Sequence, residues 1–366
     1  MSADDTAGFG YRFKLRLSAV AWFVLATGFL LALPVMIDIT WWVVAGVVVL
    51  AALLAILVAW IMRLLFRGQR QQRVATTYLK AWVGLTFLLS IMVAAPIYGI
   101  ALITELRPLI VPQAELSNGK KTVIFQGMMH IGSEGFYKGV VYDIENALSQ
   151  GYVIYYEGVK PSTPEAGKWF SDTLAGGEDL SDNYQKMASL CGLTFQLNYF
   201  GLLQADMVAH PDRHVTADVS TADMMAEYER LLAADPKFAK EMAAKKAAAS
   251  ADKGSSDSIS SLIGIVSGGT PEQQKLVGAL CRGGMSYLLG RKSTPDPMDA
   301  VILDFRNRAL AQRIEADPHD KIYITYGAEH LPGLLALLQA HDPAWEIKTV
   351  KWTRTVETPQ DLVGKL

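Results

Sequence analysis

The first 105 residues constrain this chain most, because they contain three long stretches made almost entirely of apolar residues. The stretches run over about residues 17–37, 42–62 and 82–103. A helix of about 20 apolar residues is long enough to cross the hydrocarbon core of a bilayer. We therefore predict a membrane domain with three transmembrane helices, residues 1–105, followed by a soluble domain, residues 106–366.

A short turn, residues 38–41, separates the first two stretches, which predicts a tight helical hairpin. A cleavable signal peptide is the alternative interpretation of the first stretch. A second apolar stretch follows at once, and no small-x-small cleavage site precedes it, so the sequence favours a membrane helix.

Basic residues predict the orientation of these helices. Three precede the first stretch, none occurs in the 38–41 turn, and five lie between the second and third stretches: Arg63, Arg67, Arg70, Arg73 and Lys80. Positively charged loops stay on the cytoplasmic side of a membrane. We therefore expect a protein of the inner (plasma) membrane, with a cytoplasmic N-terminus and a periplasmic or extracellular soluble domain. An arginine-rich patch that binds a partner or nucleic acid is the alternative interpretation of residues 63–81.

Charge and cysteine content exclude several classes of function. The formal net charge is −2, and phosphate binding requires a concentrated basic surface, so we expect no general nucleic-acid role. The two cysteines, Cys191 and Cys281, are too few for a disulfide scaffold and lack the spacing of a zinc knuckle. One bridge between them is an open alternative for a domain outside the cytoplasm.

The soluble domain alternates between strand-like and helix-like segments. Residues 105–120 have the prolines and the SNGK sequence of a linker with a turn, and residues 122–131 and 152–159 are continuous apolar runs around a helical segment. Such runs are typical of strands covered on both faces. A later strand, helix and strand follow residue 320, so we predict an α/β domain with a central sheet and two similar βαβ halves. Residues 214–220 suggest a further short strand, and residues 240–261 a surface excursion.

Two of the predicted strands end on the pattern Gly-x-x-His, at His130 and at His330. A single histidine at a strand end is commonly a structural residue. The carboxyl ends of strands in an α/β sheet, however, are where ligands and catalytic groups collect. Two imidazoles at adjacent strand ends could bind one metal ion.

Three further residues extend this candidate site. Glu157 follows the strand YVIYY, and Arg306 and Asn307 lie in the first part of an amphipathic helix. A carboxylate beside a buried strand needs a charged, hydrogen-bonded or metal partner, unless it lies in solvent past the sheet edge. Arg306 and Asn307 are either a solvated surface pair or a clamp for a substrate carboxylate or oxyanion.

These motifs together resemble the TraB/PrgY, Tiki and GumN proteins, distant relatives of the erythromycin esterase and ChaN families. That group has two Gly-x-x-His motifs, an early glutamate, and an Arg-Asn or similar pair on a late helix. Here GMMH (127–130), YYEG (155–158), FRNRALAQRI (305–314) and GAEH (327–330) occur in the same order. The resemblance covers about residues 120–355, and Asp218 in TADVS matches an acidic position of some members.

The resemblance implies a metal-dependent hydrolase similar to the Tiki metalloproteases. His130 and His330 would be metal ligands, Glu157 a ligand or general base, and Arg306 and Asn307 groups that orient the substrate. The cofactor would be a divalent ion (Mn, Co or Zn), and the substrate a peptide or protein. A membrane part with three N-terminal helices and an insertion near residue 250 depart from the family pattern, and leave the substrate and regulation open.

The alternative function is binding without turnover. ChaN-type relatives bind haem and PrgY-type relatives sequester a peptide signal, so the same histidines could hold such a ligand. His210 and His214, in HPDRH, are additional candidates for that role, although polar loop positions are their default interpretation. A catalytically inactive membrane scaffold is a third alternative.

Overall fold

The computed structural model describes residues 13–14, 16–29, 41–66, 71–174, 180–251, 269–290 and 295–357. The chain forms two compact units. The first contains Met1–Ile103 with Gly268–Gly283, and the second contains Thr104–Ser267 with Gly284–Leu366. The division after Ile103 lies beside the predicted boundary between residues 105 and 106. The prediction that residues 268–283 belong to the soluble domain differs from this division, because they group with the first unit.

The described N-terminal helices are α1 (Arg16–Phe29), α2 (Trp41–Leu65) and α3 (Val74–Leu106). Helices α2 and α3 are long and apolar enough to cross a membrane, and they include the predicted spans 42–62 and 82–103. Helix α1 is shorter, and the rest of the predicted span 17–37 lies outside the described residues, as does most of the 38–41 turn. The third membrane helix therefore stays a prediction.

The second unit contains a central six-stranded sheet. Its strands are β1 (Ile110–Ser117), β2 (Thr122–Met128), β4 (Val153–Tyr156), β6 (His214–Thr216), β7 (Lys321–Gly327) and β8 (Glu346–Arg354). Their spatial order is β6-β4-β7-β2-β1-β8. Two short strands, β3 (Ile131–Gly132) and β5 (Thr194–Phe195), pair antiparallel with each other. The mixed sheet and its helices confirm the predicted α/β class.

Four neighbouring strands of this sheet are parallel: β6, β4, β7 and β2. Their carboxyl ends therefore lie at one edge. The strands that precede His130, Glu157 and His330 lie side by side. Strands β2 and β4 are close in sequence but do not pair directly, because β7 lies between them and pairs with both. A helical crossover can span one intervening strand, so closeness in sequence does not determine the pairing.

The prediction that residues 105–120 form a linker is wrong for residues 110–117, which form β1 between β2 and β8. Pro112 is compatible with an inner strand because β1 pairs with β2 only from Gln113 onward. The predicted turn is present: Gly119 has φ +83°, a left-handed conformation that glycine adopts without steric strain. The strand order also makes the two halves differ. One strand lies between β2 and β4, whereas two lie between β7 and β8.

Helices cover both faces of the sheet. The remaining helices are α4 (Glu134–Ser149), α5 (Pro164–Leu174), α6 (Leu180–Cys191), α7 (Leu197–Phe200), α8 (Gln204–Ala209), α9 (Thr221–Ala234), α10 (Pro236–Ala251), α11 (Pro271–Leu289), α12 (Arg306–Ala316) and α13 (His330–His341). One core contains residues of α12 and α13, and the other contains residues of α4. Burial on both faces explains the continuous apolar strands. Helix α10 matches the start of the predicted 240–261 excursion, and residues 252–261 lie outside the described chain.

Candidate active site

The predicted site residues lie at the carboxyl edge of the four parallel strands. His130 comes two residues after β2, Glu157 directly after β4, and His330 three residues after β7, where it begins α13. Asp218 comes two residues after β6. Arg306 is the first residue of α12, and it follows a π-helical segment, Ala300–Phe305. Such segments occur frequently at functional sites.

Arg306 joins the two carboxylates at this edge. Its Nη2 atom lies 2.7 Å from Glu157 Oε1 and 2.5 Å from Asp218 Oδ2, and its Nε donates to Asp218 Oδ1 at 3.0 Å. The side chains of Arg306 and Asp218 are buried. Two carboxylates and one guanidinium leave a formal charge of −1. The interpretation of Arg306 and Glu157 as solvated surface residues is therefore wrong, because each is paired inside the fold.

Backbone groups complete the binding of the carboxylates. The N–H of Gly327 donates to Glu157 Oε2 at 2.6 Å, and the N–H of Gly158 donates to Asp218 Oδ2 at 3.0 Å. Each carboxylate thus accepts hydrogen bonds from both a guanidinium and the main chain. Gly327 is the last residue of β7 and Gly158 comes two residues after β4, so the backbone at the strand ends fixes the direction of both side chains.

Asn307 fixes the ring of His330. Both residues are buried, and His330 Nδ1 lies 2.8 Å from Asn307 Oδ1. Only a protonated Nδ1 can donate to that amide oxygen, so the neutral ring carries its lone pair on Nε2. His330 Nε2 lies 3.7 Å from Glu157 Oε1. A Cβ atom at Gly333 would lie 2.5 Å from Asn307 Nδ2, so this glycine leaves space for the amide.

Different residues fix His130. Its Nδ1 lies 3.1 Å from Gln196 Nε2, its carbonyl accepts from the Gln196 N–H at 3.1 Å, and the ring of Tyr184 stacks on it at 4.5 Å between centroids. Tyr184 lies on α6 and Gln196 follows β5. Gln196 and Tyr184 are not among the candidate residues predicted from the sequence. Neither lies in a motif, and only the β3–β5 pairing brings their segment beside His130.

Burial and nearby charges lower the pKa values of His130, Glu157 and His330. Burial is the main cause that lowers the pKa of His330, to about 4, with a contribution from Arg306 that Glu157 partly offsets. Burial likewise lowers the pKa of His130. Burial would raise the pKa of Glu157, but Arg306 and the two histidines outweigh it and lower that pKa. At neutral pH both imidazoles are therefore neutral and Glu157 is ionised.

The two motif glycines have different roles. A Cβ atom at Gly127 would lie 2.8 Å from the Pro112 carbonyl oxygen, which is backbone that cannot move aside easily. A Cβ atom at Gly327 would meet Glu157 and His330 only at 3.5 Å, an ordinary contact distance. Gly127 thus permits close approach of β1, whereas Gly327 contributes its N–H to Glu157.

Comparisons of the chain with protein-family models, with curated proteins and with solved structures found no match. The site geometry described above is therefore the basis for any inference of function.

The donor atoms at this edge partly fit a divalent metal ion. When two ligand atoms bind one ion, each about 2.1 Å from the metal, the two atoms lie roughly 3–3.5 Å from each other. His330 Nε2 and Glu157 Oε1 are 3.7 Å apart, which is close to that separation. Both histidines are neutral, as ligands must be. Within the described residues, however, no group of three or more His, Cys, Asp or Glu side chains is arranged to hold a metal ion.

His210 and His214 lie away from these residues in the fold. His214 begins β6, and its buried side chain lies 2.7 Å from Asp206 Oδ2 and 2.9 Å from the Tyr156 hydroxyl. His210 is exposed and lies 3.9 Å from Asp206. The polar-loop interpretation is thus wrong for His214, a hydrogen-bonded residue of the sheet.

Proposed function

We propose that the chain is a membrane-anchored, metal-dependent hydrolase, specifically a peptidase that acts on the extracytoplasmic side, related to the TraB/PrgY, Tiki and GumN proteins. One observation carries the proposal. Four motifs separated by up to 200 residues of sequence, those of His130, Glu157, Arg306–Asn307 and His330, meet at the carboxyl edge of one sheet. That edge is where α/β folds place reactive groups.

His330 and His130 would hold the ion, with Glu157 either as a third ligand or as the general base. A bound divalent metal lowers the pKa of a water molecule and polarises a carbonyl group, which is the chemistry that amide hydrolysis requires. Asn307 holds the Nδ1 proton of His330, so that Nε2 presents its lone pair to the site. The net charge of −1 on the carboxylate–arginine group favours a cation at the same place.

Glu157 would accept a proton from the attacking water. Arg306 and the Gly327 N–H hold its carboxylate in one orientation, and its lowered pKa keeps it ionised. Arg306 itself is mainly occupied with Glu157 and Asp218. Its Nη1 atom has one long hydrogen bond, 3.4 Å to the Ile302 carbonyl, and is the part of the fork best able to contact a substrate oxygen.

Two observations support the extracytoplasmic location. Two helices are suited to cross a membrane, and the charge distribution predicts a cytoplasmic 63–81 loop. In addition, neither cysteine of the described chain is a free thiol. Disulfides persist mainly in oxidising compartments outside the cytoplasm.

The test uses the full chain in detergent, a peptide library, and added Mn²⁺, Co²⁺ or Zn²⁺. We expect cleavage that a chelator abolishes, and that His130→Ala and His330→Ala abolish together with metal binding measured by calorimetry. His341→Ala, which changes an exposed histidine, is the matched control and should leave both unchanged. Cleavage that survives the chelator and both substitutions at the site would refute the proposal.

A ligand-binding function without turnover is the second candidate. The arrangement favours it in one respect, since the described residues contain no three-ligand metal group and Arg306 already occupies both carboxylates. Haem or a peptide signal would then occupy the same edge. A Soret band that appears on haem addition and is lost in His130→Ala or His330→Ala, without chelator-sensitive cleavage, would establish this function instead.

A further inference from the structure

An exposed apolar patch lies at the β1–β8 end of the sheet, on the two strands beyond β2. Strand β8 is almost entirely exposed, and the Trp352 side chain is 61% exposed. The register places Trp352 opposite Pro112 and Val350 opposite Ala114, so both project from the same sheet face as Ile110. We call Leu106, Ile110, Val350 and Trp352 the β8 patch; all four side chains are exposed.

One basic residue, Arg354, shares the sheet face of this patch: it lies opposite Ile110 and also pairs with Glu105 at 3.1 Å. The other two basic residues of β8 have partners of their own. Lys351 alternates with Trp352 to the opposite face, where it pairs with Asp143 of α4 at 3.4 Å, and Lys348 pairs with Glu346. An exposed tryptophan beside an arginine is typical of a membrane–water interface, where the indole lies at headgroup level.

The chain itself places the patch close to an apolar helix. Helix α3 ends at Leu106, and β1 begins at Ile110. Four residues of chain can span at most about 14 Å, about twice the roughly 5–8 Å thickness of the headgroup layer on one side of a bilayer. If α3 crosses a membrane, the start of β1 and its β8 partners are therefore within reach of that surface.

We propose that the β8 patch is a membrane-contact surface: Trp352, Ile110 and Leu106 insert at the boundary between headgroups and acyl chains, while Arg354 lies at the level of the lipid phosphates. The proposal rests on the membrane anchoring proposed above, and is independent of the hydrolase chemistry. Each basic residue near an anionic surface contributes on the order of 1 kcal/mol.

A second copy of the chain is the rival occupant, because an exposed edge strand can pair with another strand. Lysines on an edge strand act against such pairing, and β8 carries two. Lipid is the better partner for an exposed indole ring, since its apolar body and its N–H group are satisfied at different depths of a membrane interface.

The experiment uses the full chain in lipid nanodiscs containing phosphatidylglycerol and phosphatidylcholine. Trp352→Cys is labelled with an environment-sensitive fluorophore, which is selective because neither native cysteine is a free thiol. Tyr142→Cys is the matched control: Tyr142 is an equally exposed aromatic residue on α4, which covers the opposite face of the sheet. Quenching by lipids with a spin label near the headgroup is compared with quenching by iodide in water.

We expect lipid quenching of the label at position 352 to exceed that at position 142 by at least about twofold, with the reverse order for iodide. The variant Arg354→Glu, which reverses the charge on the face of the patch, should increase iodide quenching at position 352. If the chain floats with the discs but only iodide quenches the label at position 352, the membrane-contact proposal is wrong. The membrane anchoring itself would still be supported by the flotation. A label protected from both quenchers that cross-links to a second copy would overturn it in favour of a dimer. A chain that does not float with the discs would refute the anchoring itself.

Discussion

His130 and His330 follow neighbouring strands on the same Gly-x-x-His pattern, but the chain supports the two side chains in different ways. His330 is buried, begins α13, and donates to Asn307 of α12. His130 is partly buried, and it is held by Gln196 and Tyr184 from the segment between residues 180 and 196. The two copies of the motif therefore differ. The helices of the main core fix His330, whereas the segment between residues 180 and 196 fixes His130.

This difference has a consequence for stability. The His330 side is tied into the sheet through Arg306, Glu157 and Asp218, a network in which every charge has a partner. The His130 side depends on a two-residue pairing between β3 and β5 and on one aromatic stack. Because segments with few pairings open more readily than core strands, the two histidines should respond to substitution and pH to different extents.

The largest expected effect comes from breaking the charged network. Arg306→Leu leaves two carboxylates at the site without their cation, and we expect a loss of about 3–5 kcal/mol of unfolding free energy. Arg308→Leu is the control, because Arg308 is half exposed and its pair with Glu227 should contribute at most about 1 kcal/mol. Chemical unfolding in detergent measures both.

If Arg306→Leu does not fold, the combination with Glu157→Gln and Asp218→Asn should recover folded protein, because it removes the unpaired charges. A loss below that of Arg308→Leu would mean that the network does not stabilise the His330 side.

The second effect is a pH dependence that belongs mainly to His330. Its pKa is about 4 in the folded chain and about 6.5 in the unfolded chain. Between these values the unfolded chain binds a proton that the folded chain does not, so stability falls as pH drops from 6.5 to 4. We expect a loss of about 2–3 kcal/mol in metal-free protein.

His330→Gln should remove most of this pH dependence, whereas His130→Gln should remove a smaller part. The lowered pKa of Glu157 has the same sign, because that carboxylate loses its stabilising charge as pH falls below about 4.5. Unfolding free energies measured at several pH values between 4 and 7 test whether His330→Gln reduces the pH dependence more than His130→Gln does. An equal effect of the two substitutions would show that the two sides are equivalent.

Much of this site could be predicted from the sequence, because its residues follow continuous apolar strands. Glu157 and the histidines follow such runs, and strand ends in an α/β domain meet at one edge. The insertion of β7 between β2 and β4 could not be predicted, since parallel pairing over 170 residues has no local signal. Strand β1 was missed because Pro108, Pro112 and SNGK are typical of a linker. Gln196 and Tyr184 were missed because their position depends on that tertiary arrangement alone.

A third, smaller effect separates the two motif glycines. Gly127→Ala pushes a methyl group against the Pro112 carbonyl, so we expect a destabilisation of about 1–3 kcal/mol. Gly327→Ala meets only ordinary contacts and keeps its N–H donor to Glu157, so its effect should be smaller than about 1 kcal/mol. Thermal unfolding of the two variants gives the comparison. A larger loss for Gly327→Ala would contradict the role assigned to Gly127.

The smallest expected effect concerns the aromatic cover of His130. The ring of Tyr184 stacks on His130 and also on Phe195, at 6.0 Å between centroids. Tyr184→Phe keeps both stacks and removes only the hydroxyl, so stability should change by less than about 0.5 kcal/mol. Tyr184→Leu removes an aromatic pair, which contributes about 0.5–1.5 kcal/mol.

The local measurement is the NMR chemical shift of the His130 ring protons, which a stacked ring moves upfield. We expect that shift to persist in Tyr184→Phe and to disappear in Tyr184→Leu, with the His330 resonances unchanged in both, because Tyr326 rather than Tyr184 contacts that ring. Unchanged His130 resonances in Tyr184→Leu would mean that Gln196 alone fixes this side of the site.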